Sequence, residues 1–303
     1  MKNLKLYSRF LMLNAQQIEK LNQLGVTVTK TIEPDTNAIF SDQFFIESNL
    51  DTLPELAYLQ VATSGLDRIN LQHPKLSKAV VSGSRGVFNQ PMAQYVLSHV
   101  LSVYQNHRFF LQTQKDQQWR PSRHNEELSG KRVAVIGLGQ IGLQIAKTFA
   151  FFGAKVDGFN RSSIDSIYVQ QTYSLQDLAN QIANYEVVIV SLALNQDTQG
   201  LFNAPWFERL NPKAIFVNVG RSELIDESAL IALLQNKKIR HAVLDTFNKE
   251  PLPKDHPLWS LENLSMTPHI SFTSIQNLER MFDALYNNLQ LYLQNEPLIN
   301  QFK

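Results

Sequence analysis

Short apolar runs alternate along the chain with segments of helical periodicity. In the first part of the chain, apolar runs predict strands at Leu4–Tyr7, Ala38–Phe40, Tyr58–Ala62 and Ala79–Ser82. Apolar positions at helical spacing over Ala15–Leu24 predict a helix that Gly25 ends. This alternation is typical of α/β layers built on a mostly parallel sheet.

The alternation resumes after a long helix and a polar stretch. The helix is predicted to begin near Asn89, a capping residue, with Pro91 in its first turn. The polar segment Gln112–Leu128 is interpreted as a connection between domains. Beyond it, strands are predicted at Arg132–Gly137, Ala154–Asn160, Val187–Leu192, Ala214–Val219, Ile239–Leu244 and Leu264–Met266. Helices are predicted between and after these strands, at Ile141–Phe152, Glu227–Leu234 and Ser274–Leu293.

Composition narrows the class of protein. A length of 303 residues suits two domains, and 44% apolar residues are enough to form their cores. The 28 basic and 27 acidic residues give a formal charge of +1, so there is no global attraction to nucleic acid or anionic membranes. No apolar run approaches the roughly 20 residues of a membrane helix. We therefore expect a small-molecule partner, with no nucleic acid and no membrane.

The chain contains no cysteine, which excludes disulfides, thiolate metal sites and cysteine nucleophiles. No histidine pair with an acid occurs at ligand spacing, so we expect no metal. The short apolar run after Met1 and Lys2 is not followed by a small-residue cleavage site, so no signal peptide is expected. These features favour a cytoplasmic protein.

A glycine-rich turn carries the sharpest local signal. Gly137-Leu-Gly139-Gln-Ile-Gly142 has the spacing G-x-G-x-x-G, directly after one predicted strand and at the start of a helix. Gly137 permits the tight turn, Gly139 allows close approach of a pyrophosphate, and Gly142 allows the helix to pack closely on the strand. The N–H groups at the start of the helix favour an anion. The turn predicts dinucleotide binding.

The end of the next strand bears on the choice of cofactor. An NAD site commonly has an acid there to bind the ribose hydroxyls, but this chain has Asn160-Arg161-Ser162. Arg161 can pair with a 2′-phosphate, which favours NADP(H). A solvated arginine beside a relaxed NAD(H) site is the open alternative.

Four further chemical groups follow the ends of predicted strands. Arg221 follows the strand that ends at Val219, Asp245 and Glu250 follow the next strand, and His269 follows the last. Ligands of open parallel sheets bind beyond the carboxyl ends of the strands. All four side chains can therefore converge on a ligand held by the glycine turn.

These segments together resemble the D-isomer-specific 2-hydroxyacid dehydrogenase family, which includes D-lactate, glyoxylate/hydroxypyruvate and phosphoglycerate dehydrogenases. The matching stretches are Gly137–Gly142, Asn218–Ser222, Leu244–Pro251 with His256–Trp259, and Thr267–His269. Their order and spacing match the family over almost the whole chain. The resemblance implies hydride transfer between a nicotinamide cofactor and a small 2-keto or D-2-hydroxy acid.

The resemblance also implies catalytic roles. His269 would donate a proton to the carbonyl oxygen during ketone reduction and accept one in the reverse direction. Glu250 would pair with the imidazole and orient it. Arg221 would bind the substrate carboxylate and polarise the ketone, which suits a planar guanidinium. Asp245 would hold the nicotinamide carboxamide or ribose.

The implied binding residues extend over both halves of the chain. The cofactor contacts are Gly137, Gly139, Gln140, Ile141, Gly142, Asn160, Arg161, Ser162, Leu192, Thr198, Val219, Gly220 and Asp245. Thr63-Ser64-Gly65 resembles the family's substrate loop, in which backbone N–H groups matching Ser64 and Gly65 bind the substrate carboxylate, together with Arg221 and His269. The alternative for the loop is a simple turn.

Three positions differ from the family pattern. Ala193 replaces a common proline, Gln94 replaces the usual acid, and Arg85 adds a charge before Gly86. None of these removes a catalytic group, although they blur the substrate assignment. Arg85 either helps to bind an anionic substrate or is solvated, and the sequence leaves both interpretations open.

The family's fold implies two Rossmann-like, doubly wound parallel-sheet domains with a cleft between them. The flavodoxin-like substrate domain is predicted at residues 1–98 plus 275–303, and the dinucleotide-binding domain at 99–274. The long helix and the Gln112–Leu128 connection suit a homodimer interface. Two alternatives stay open: a dinucleotide-sensing interaction protein on the same fold, and another dinucleotide enzyme such as a formate or phosphonate dehydrogenase relative.

Overall fold

The computed structural model describes residues 3–9, 11–66 and 68–303, so Met1, Lys2, Phe10 and Asp67 lie outside the described residues. The chain divides into two compact units, Met1–Phe88 with Ser274–Lys303, and Asn89–Thr273. The helix that begins at Asn89 belongs entirely to the second unit, whereas the sequence-based boundary lies after residue 98.

The regular elements alternate along each unit. In chain order they are β1 (Leu4–Ser8), α1 (Ala15–Gln23), β2 (Val26–Thr29), β3 (Ala38–Ser41), α2 (Gln43–Asn49), β4 (Tyr58–Val61), β5 (Val80–Gly83), α3 (Asn89–Tyr104), α4 (His107–Lys115), β6 (Arg132–Ile136), α5 (Gln140–Phe151), β7 (Lys155–Asn160), β8 (Thr172–Ser174), α6 (Leu178–Gln181), β9 (Val187–Val190), α7 (Ala204–Phe207), β10 (Ile215–Asn218), α8 (Glu227–Gln235), β11 (His241–Leu244), β12 (Leu264–Met266) and α9 (Asn277–Gln294). The predicted strands are present with small shifts at their ends, and the elements that were not individually predicted are β2, β8, α2, α4, α6 and α7.

The first unit contains a five-stranded parallel sheet with the order β2-β1-β3-β4-β5. This is the flavodoxin-like order. Ile39, Leu59 and Val81 come from three neighbouring strands and are fully buried in one apolar cluster with Ile46 of α2. Helix α1 begins with a capping box, in which the Asn14 side chain accepts a hydrogen bond from the N–H group three residues later.

The second unit contains a seven-stranded parallel sheet with the order β12-β11-β10-β9-β6-β7-β8. The chain passes from β6 outward through β7 and β8, then returns to the other side of β6 at β9, as in a Rossmann fold. Strands β9 and β10 are buried along their whole length, as expected for parallel strands covered on both faces. The predicted fold class, two α/β domains with parallel sheets, is therefore confirmed.

The parallel sheet of the second unit gathers the predicted functional residues at one edge. All its strands run in the same direction, so their carboxyl ends lie at the same edge. The residues that follow these ends are Gly137 after β6, Asn160 at the end of β7, Leu192 after β9, Arg221 after β10, Asp245 after β11 and His269 after β12. Within the described residues, no helix has both the length and the apolar character needed to cross a bilayer.

A half-buried histidine at the start of β11, His241, makes stability depend on pH. Burial, together with the smaller effects of the Arg108, His99 and Arg240 charges, lowers the pKa of His241 to about 4. Its Nε2 atom lies 2.9 Å from the Ser265 Oγ atom. Because the folded protein takes up this proton less readily than the unfolded chain, the stabilising contribution is fully present above pH 6.5 and is lost as pH falls toward 4.

We expect His241→Asn to flatten the loss of stability in acid. Between pH 7 and pH 4.5, the wild-type free energy of unfolding should fall by roughly 2–3 kcal/mol more than that of the variant. Urea unfolding at both pH values measures this difference. His124→Asn, at an exposed position, is the matched control and should behave like the wild type. Equal pH slopes for H241N and the wild type would contradict the buried neutral imidazole.

Candidate active site

The glycine turn forms a space that a dinucleotide can enter. Gly137 has φ 94°, and a Cβ atom there would lie 2.9 Å from the Ser191 backbone. A Cβ atom at Gly142 would lie 1.9 Å from the Gly137 carbonyl oxygen, so α5 can approach β6 only without a side chain there. Gly139 instead faces open space, with no atom within 4 Å of a Cβ placed there. It begins α5 without a side-chain cap.

These features fit the pyrophosphate of a nicotinamide dinucleotide. Helix α5 begins after Gly139 without a side-chain cap, and Gly139 has no Cβ atom that would obstruct an anion at the start of the helix. Gln140 and Ile141 form the first turn of this helix. The predicted phosphate-binding function therefore has the geometry it needs.

The end of β7, the strand next to β6 in the sheet, carries Asn160, Arg161 and Ser162. Asn160 Oδ1 accepts a hydrogen bond from the Leu138 N–H at 3.3 Å, and its Nδ2 donates to the Ser162 carbonyl oxygen at 3.0 Å. Arg161 and Ser162 are exposed. The Asn160 side chain thus connects the end of β7 to the glycine turn. Arg161 lies next to it in an exposed loop.

The loop after β9 packs against the glycine turn and against the end of β10. Ser191 Oγ donates to the Gly137 carbonyl oxygen at 2.8 Å. A Cβ atom at Gly220 would lie 3.0 Å from the Leu192 carbonyl oxygen, so these two predicted cofactor residues are neighbours. Thr198 is buried and its hydroxyl donates to the Ala193 carbonyl oxygen at 2.8 Å, which closes the loop.

Asn218 shapes the turn that presents Arg221. Its side chain is fully buried, accepts from the Gly220 N–H at 3.0 Å and donates to the Arg221 carbonyl oxygen at 2.9 Å. Val219 is buried between them. The half-buried Arg221 guanidinium donates back to the Gly220 carbonyl oxygen at 3.3 Å. In the sequence, the short spacing between Asn218 and Arg221 is the signal for this turn.

His269 and Glu250 form a hydrogen-bonded pair at the carboxyl edge of the sheet. The distance between His269 Nδ1 and Glu250 Oε2 is 3.0 Å. Glu250 Oε1 accepts from the Phe247 N–H at 3.0 Å, so the carboxylate itself is fixed. Because a carboxylate can only accept, Nδ1 carries the shared proton and Nε2 is the nitrogen available for exchange with a ligand. Both side chains are partly exposed, as a group that must reach a substrate requires.

Asp245 holds the loop that carries His269. It is 1% exposed, and its Oδ1 accepts from the Thr267 hydroxyl at 2.6 Å and from the Ile270 N–H at 2.8 Å. Its Oδ2 accepts from the Ser271 N–H at 2.9 Å. His269 lies between these anchors with φ 55°, a backbone conformation that is strained for residues other than glycine. The carboxylate thus maintains the backbone that orients the imidazole.

A tyrosine of α3 extends this network. The Tyr95 hydroxyl lies 2.6 Å from Thr267 Oγ1. Since Thr267 gives its own proton to Asp245, Tyr95 is the donor to Thr267. Burial raises the pKa of Tyr95 and the Asp245 charge raises it further, so the phenol keeps its proton. This contact could not be predicted, because no sequence motif links Tyr95 to Thr267.

The loop after β4 has free hydrogen-bonding capacity in the first unit. The Thr63 hydroxyl donates to the Gly65 carbonyl oxygen at 2.7 Å and fixes the turn. Among the hydrogen bonds of the described residues, the Ser64 Oγ atom, although buried, has no partner. Within the same part of the chain, the N–H groups of Ser64 and Gly65 have no backbone or side-chain acceptor. No group of three or more His, Asp or Glu side chains among the described residues is placed to bind a metal ion.

Comparison with known proteins gives a consistent picture. The family described as "D-isomer specific 2-hydroxyacid dehydrogenase, NAD binding domain" matches residues 97–271. A protein named probable 2-ketogluconate reductase, from Dictyostelium discoideum, is 30% identical, with coverage of 90% of this chain and 87% of its own.

Two solved structures extend the similarity to the whole chain. A D-isomer specific 2-hydroxyacid dehydrogenase family protein from Aeromonas salmonicida has a TM-score of 0.88 at 28% identity, covering 100% of this chain and 99% of its own. A D-isomer specific 2-hydroxyacid dehydrogenase from Xanthobacter autotrophicus, in complex with NADPH and MES, has a TM-score of 0.83 at 27% identity, covering 100% and 98%.

These similarities confirm the predicted class of activity, an oxidoreductase of 2-keto and 2-hydroxy acids with an NAD-binding domain. The family match spans more than half of the chain and contains the glycine turn, Arg221, Glu250 and His269. We conclude that the chain belongs to the D-isomer specific 2-hydroxyacid dehydrogenase family.

Proposed function

We propose that this chain reduces small 2-keto acids to D-2-hydroxy acids, and catalyses the reverse reaction, with His269, Glu250 and Arg221 as its catalytic residues. The observation that carries the proposal is the His269–Glu250 pair at 3.0 Å, held on a backbone that Asp245 fixes from both sides. An imidazole fixed through one nitrogen presents the other to a substrate in a defined direction.

Each of the three proposed catalytic residues has a separate role in the reaction. When bound, the reduced nicotinamide supplies the hydride that the carbonyl carbon accepts. His269 gives the proton on Nε2 to the carbonyl oxygen, and Glu250 stabilises the positive imidazole before the transfer. Arg221 binds the substrate carboxylate with its guanidinium fork and polarises the carbonyl group. In oxidation, neutral His269 accepts the proton of the hydroxyl group.

The substrate carboxylate also requires donors, and we assign these to the loop Thr63–Gly65. The N–H groups of Ser64 and Gly65 and the Ser64 hydroxyl are the supporting observation, because a carboxylate satisfies several donors at once. Gly65 allows a ligand to approach the backbone. His269 and Arg221 complete this proposed set of substrate contacts.

The cofactor is held, in this proposal, by the residues around the glycine turn. These are Gly137, Gly139, Gln140, Ile141 and Gly142 for the pyrophosphate, Asn160, Arg161 and Ser162 for the adenosine ribose, and Leu192, Thr198, Val219 and Gly220 along the nicotinamide half. Asp245, also a predicted cofactor residue, is assigned an indirect role here, because both of its carboxylate oxygens accept hydrogen bonds from the His269 loop.

NADP(H) is the proposed preferred cofactor, with NAD(H) as a weaker substitute. Arg161 supports this, since it is exposed and among the described residues no carboxylate pairs with it, which leaves its donors available to a 2′-phosphate. We expect Arg161→Ala to lower the kcat/KM ratio of NADPH to NADH about 10-fold or more, mainly through the KM for NADPH. Steady-state kinetics with both cofactors measures this ratio.

Arg123→Ala is the matched control for this prediction, because Arg123 is another exposed arginine of the second unit. It should leave the ratio unchanged. A wild-type enzyme that prefers NADH, or an R161A variant with an unaltered ratio, would refute the proposed role of Arg161.

A homodimer in the cytoplasm is the proposed state of the protein. Large apolar side chains are exposed on α4 and the segment after it, with Leu111 59% and Trp119 100% exposed, and a second copy is the partner that would cover them. Light scattering should give twice the chain mass of 34.6 kDa. The combined substitution Leu111→Ser and Trp119→Ser should shift the mass toward that of one chain, whereas a wild-type monomer would exclude this interface.

The experiment that tests the proposed function is a keto-acid panel. Glyoxylate, hydroxypyruvate and pyruvate are each assayed with NADPH and with NADH, and products are identified by chiral chromatography. The proposal expects turnover of at least one of them to a hydroxy acid, with the D-isomer wherever the product is chiral. Tight NADPH binding with no turnover of any keto acid would instead indicate a dinucleotide-sensing protein.

A further inference from the structure

The edge strand β5 of the first unit is covered by a short segment of the same chain, residues 298–303. The Phe302 N–H donates to the Val81 carbonyl oxygen at 2.8 Å, and the Val81 N–H donates to the Lys303 carbonyl oxygen at 3.0 Å. Ser82 and Gln301 form an antiparallel bridge next to these bonds, and the Gly83 N–H donates to the Asn300 carbonyl oxygen at 3.3 Å on its other side. The segment therefore adds a short antiparallel strand to an otherwise parallel sheet.

A buried asparagine of α9 fixes the start of this segment. Asn288 is 2% exposed, accepts from the Ile299 N–H at 2.9 Å and donates to the Ile299 carbonyl oxygen at 3.1 Å. Asn300 then donates from its side chain to the Arg85 carbonyl oxygen at 2.8 Å. Residues 299–303 are thus held at both ends, and the Asn300 side chain connects them directly to Arg85.

The best-defined side-chain contact of the segment is between Phe302 and Arg85. The Arg85 guanidinium carbon lies 4.1 Å from the centre of the Phe302 ring. The ring occupies the space over Gly83, where a Cβ atom would lie 2.9 Å from Phe302 Cε2. One face of the guanidinium is therefore covered, and the ring that covers it fits against β5 because Gly83 has no side chain.

Arg85 leaves the sheet beside the proposed carboxylate-binding loop. Val61 of β4 lies opposite Gly83 of β5, and just beyond the paired strands the Ser84 N–H donates to the Thr63 carbonyl oxygen at 3.0 Å. Arg85 is the next residue after Ser84, as Ser64 is after Thr63. The Arg85 backbone is therefore one residue away from a direct hydrogen bond to the loop Thr63–Gly65, at the carboxyl edge of the sheet, where ligands of such sheets bind.

The charge of Arg85 is not neutralised within the described residues. Arg9 and Arg68 of the same unit also stack on phenyl rings, but each has a carboxylate within 4.0 Å, from Asp42 and Glu47 respectively. Arg85 is exposed, and across the described part of the chain no carboxylate pairs with it. A stacked guanidinium loses rotational freedom while its N–H edge stays open, which prepares it to bind an anion.

We infer that Arg85, held in place by Phe302, is a specificity-determining residue that binds a second carboxylate, carried on the side chain of the 2-keto acid. The inference rests on the proposed function, because Ser64 and Gly65 must hold the first carboxylate. It assigns this chain to 2-keto dicarboxylic acids. Phe302 is a positioning residue, since it acts only through the guanidinium.

The test compares two keto acids with chains of the same length. 2-Oxoglutarate and 2-oxopentanoate both have five carbon atoms and differ in the terminal group, a carboxylate or a methyl group. With the wild type and NADPH, kcat/KM should be about 10-fold or more higher for 2-oxoglutarate, the factor that a charge-assisted hydrogen bond commonly provides. Oxaloacetate against 2-oxobutanoate repeats the comparison for chains that are one carbon shorter.

The variants separate charge from positioning. Arg85→Gln should remove the preference by raising the KM for the dicarboxylate, while kcat/KM for 2-oxopentanoate stays within about twofold. Arg85→Lys should keep part of the preference, and Phe302→Leu should lower it although the charge is intact. Arg9→Gln is the matched control, because it removes another ring-stacked arginine, and it should leave the preference unchanged.

Each outcome decides the matter. Equal ratios of the two keto acids for the wild type and R85Q, with 2-oxopentanoate reduced normally, would overturn the role of Arg85 and leave the proposed function intact. If R85Q lost the preference for the dicarboxylate but F302L kept it in full, Arg85 would still be the specificity residue, but Phe302 would not be a positioning residue. Failure to reduce any keto acid would overturn the proposed function and this inference together.

Discussion

His269→Gln is expected to lower kcat by about 10²–10⁴, the usual contribution of a general acid, with little change in the dissociation constant of NADPH. Glutamine keeps a polar side chain of similar reach but cannot deliver a proton at neutral pH. The effect follows from the geometry of the pair, since Glu250 holds one nitrogen of the imidazole and leaves only Nε2 for the substrate. Steady-state kinetics and fluorescence titration of NADPH measure the two quantities.

His124→Gln controls for the loss of an imidazole in general, because His124 is an exposed residue of the same unit. Its kcat should equal that of the wild type. If H269Q retained full turnover, or if it lost turnover only because NADPH no longer bound, His269 would not be the acid.

Asp245→Ala is expected to affect both stability and turnover. The substitution leaves the Thr267 hydroxyl and the N–H groups of Ile270 and Ser271 without their buried acceptor. At about 1–3 kcal/mol for each unsatisfied donor, and with partial access of water, the free energy of unfolding should fall by about 2–5 kcal/mol. The His269 backbone would lose its anchor, so kcat should fall at least about 100-fold. Urea unfolding and kinetics measure these effects.

The dissociation constant of NADPH distinguishes the two interpretations of Asp245. The family resemblance assigns Asp245 to the nicotinamide carboxamide or ribose. On that interpretation, D245A should bind the cofactor more weakly and keep an unchanged His269 loop. The structure surrounds the carboxylate with groups of that loop, so the affinity of D245A for NADPH should stay within about threefold of the wild type. Strongly weakened NADPH binding with normal stability would support the direct cofactor role instead.

A second buried carboxylate provides the control for stability alone. Asp157 of β7 is 6% exposed, accepts from the Tyr185 hydroxyl at 2.9 Å and pairs with Arg132 at 3.4 Å. Asp157→Asn should lower the free energy of unfolding while kcat in the folded enzyme is retained. A loss of turnover in D157N as large as that in D245A would indicate that lowered stability, rather than the His269 loop, is the cause.

The fold was predictable where apolar patterning is strong. Strands β9 and β10 are fully buried runs of apolar residues, and the parallel sheet follows from their alternation with helices. β8 and α2 were not predicted, since each is short and carries little periodicity. The boundary at residue 98 divides α3, which no composition change marks, whereas the helix packs as a whole with the second unit.

The candidate site was predictable to the extent that motifs record it. The Glu250 and His269 pairing follows from residues that each come just after a strand of one parallel sheet. The contacts of Asp245 could not be predicted, because a carboxylate can serve a ligand or a loop and only coordinates distinguish these. The support that Phe302 gives Arg85 joins residues far apart in the chain, and no short motif encodes it.

The central claim is that the chain delivers a hydride to C2 of a keto acid while His269 protonates the oxygen. The most direct measurement uses pyruvate and NADPH deuterated at the transferred position of the nicotinamide ring, with the product analysed by NMR and chiral chromatography. D-Lactate that carries deuterium at C2, formed by the wild type and almost absent with H269Q, is the predicted result. L-Lactate, or deuterium lost to solvent, would contradict the account.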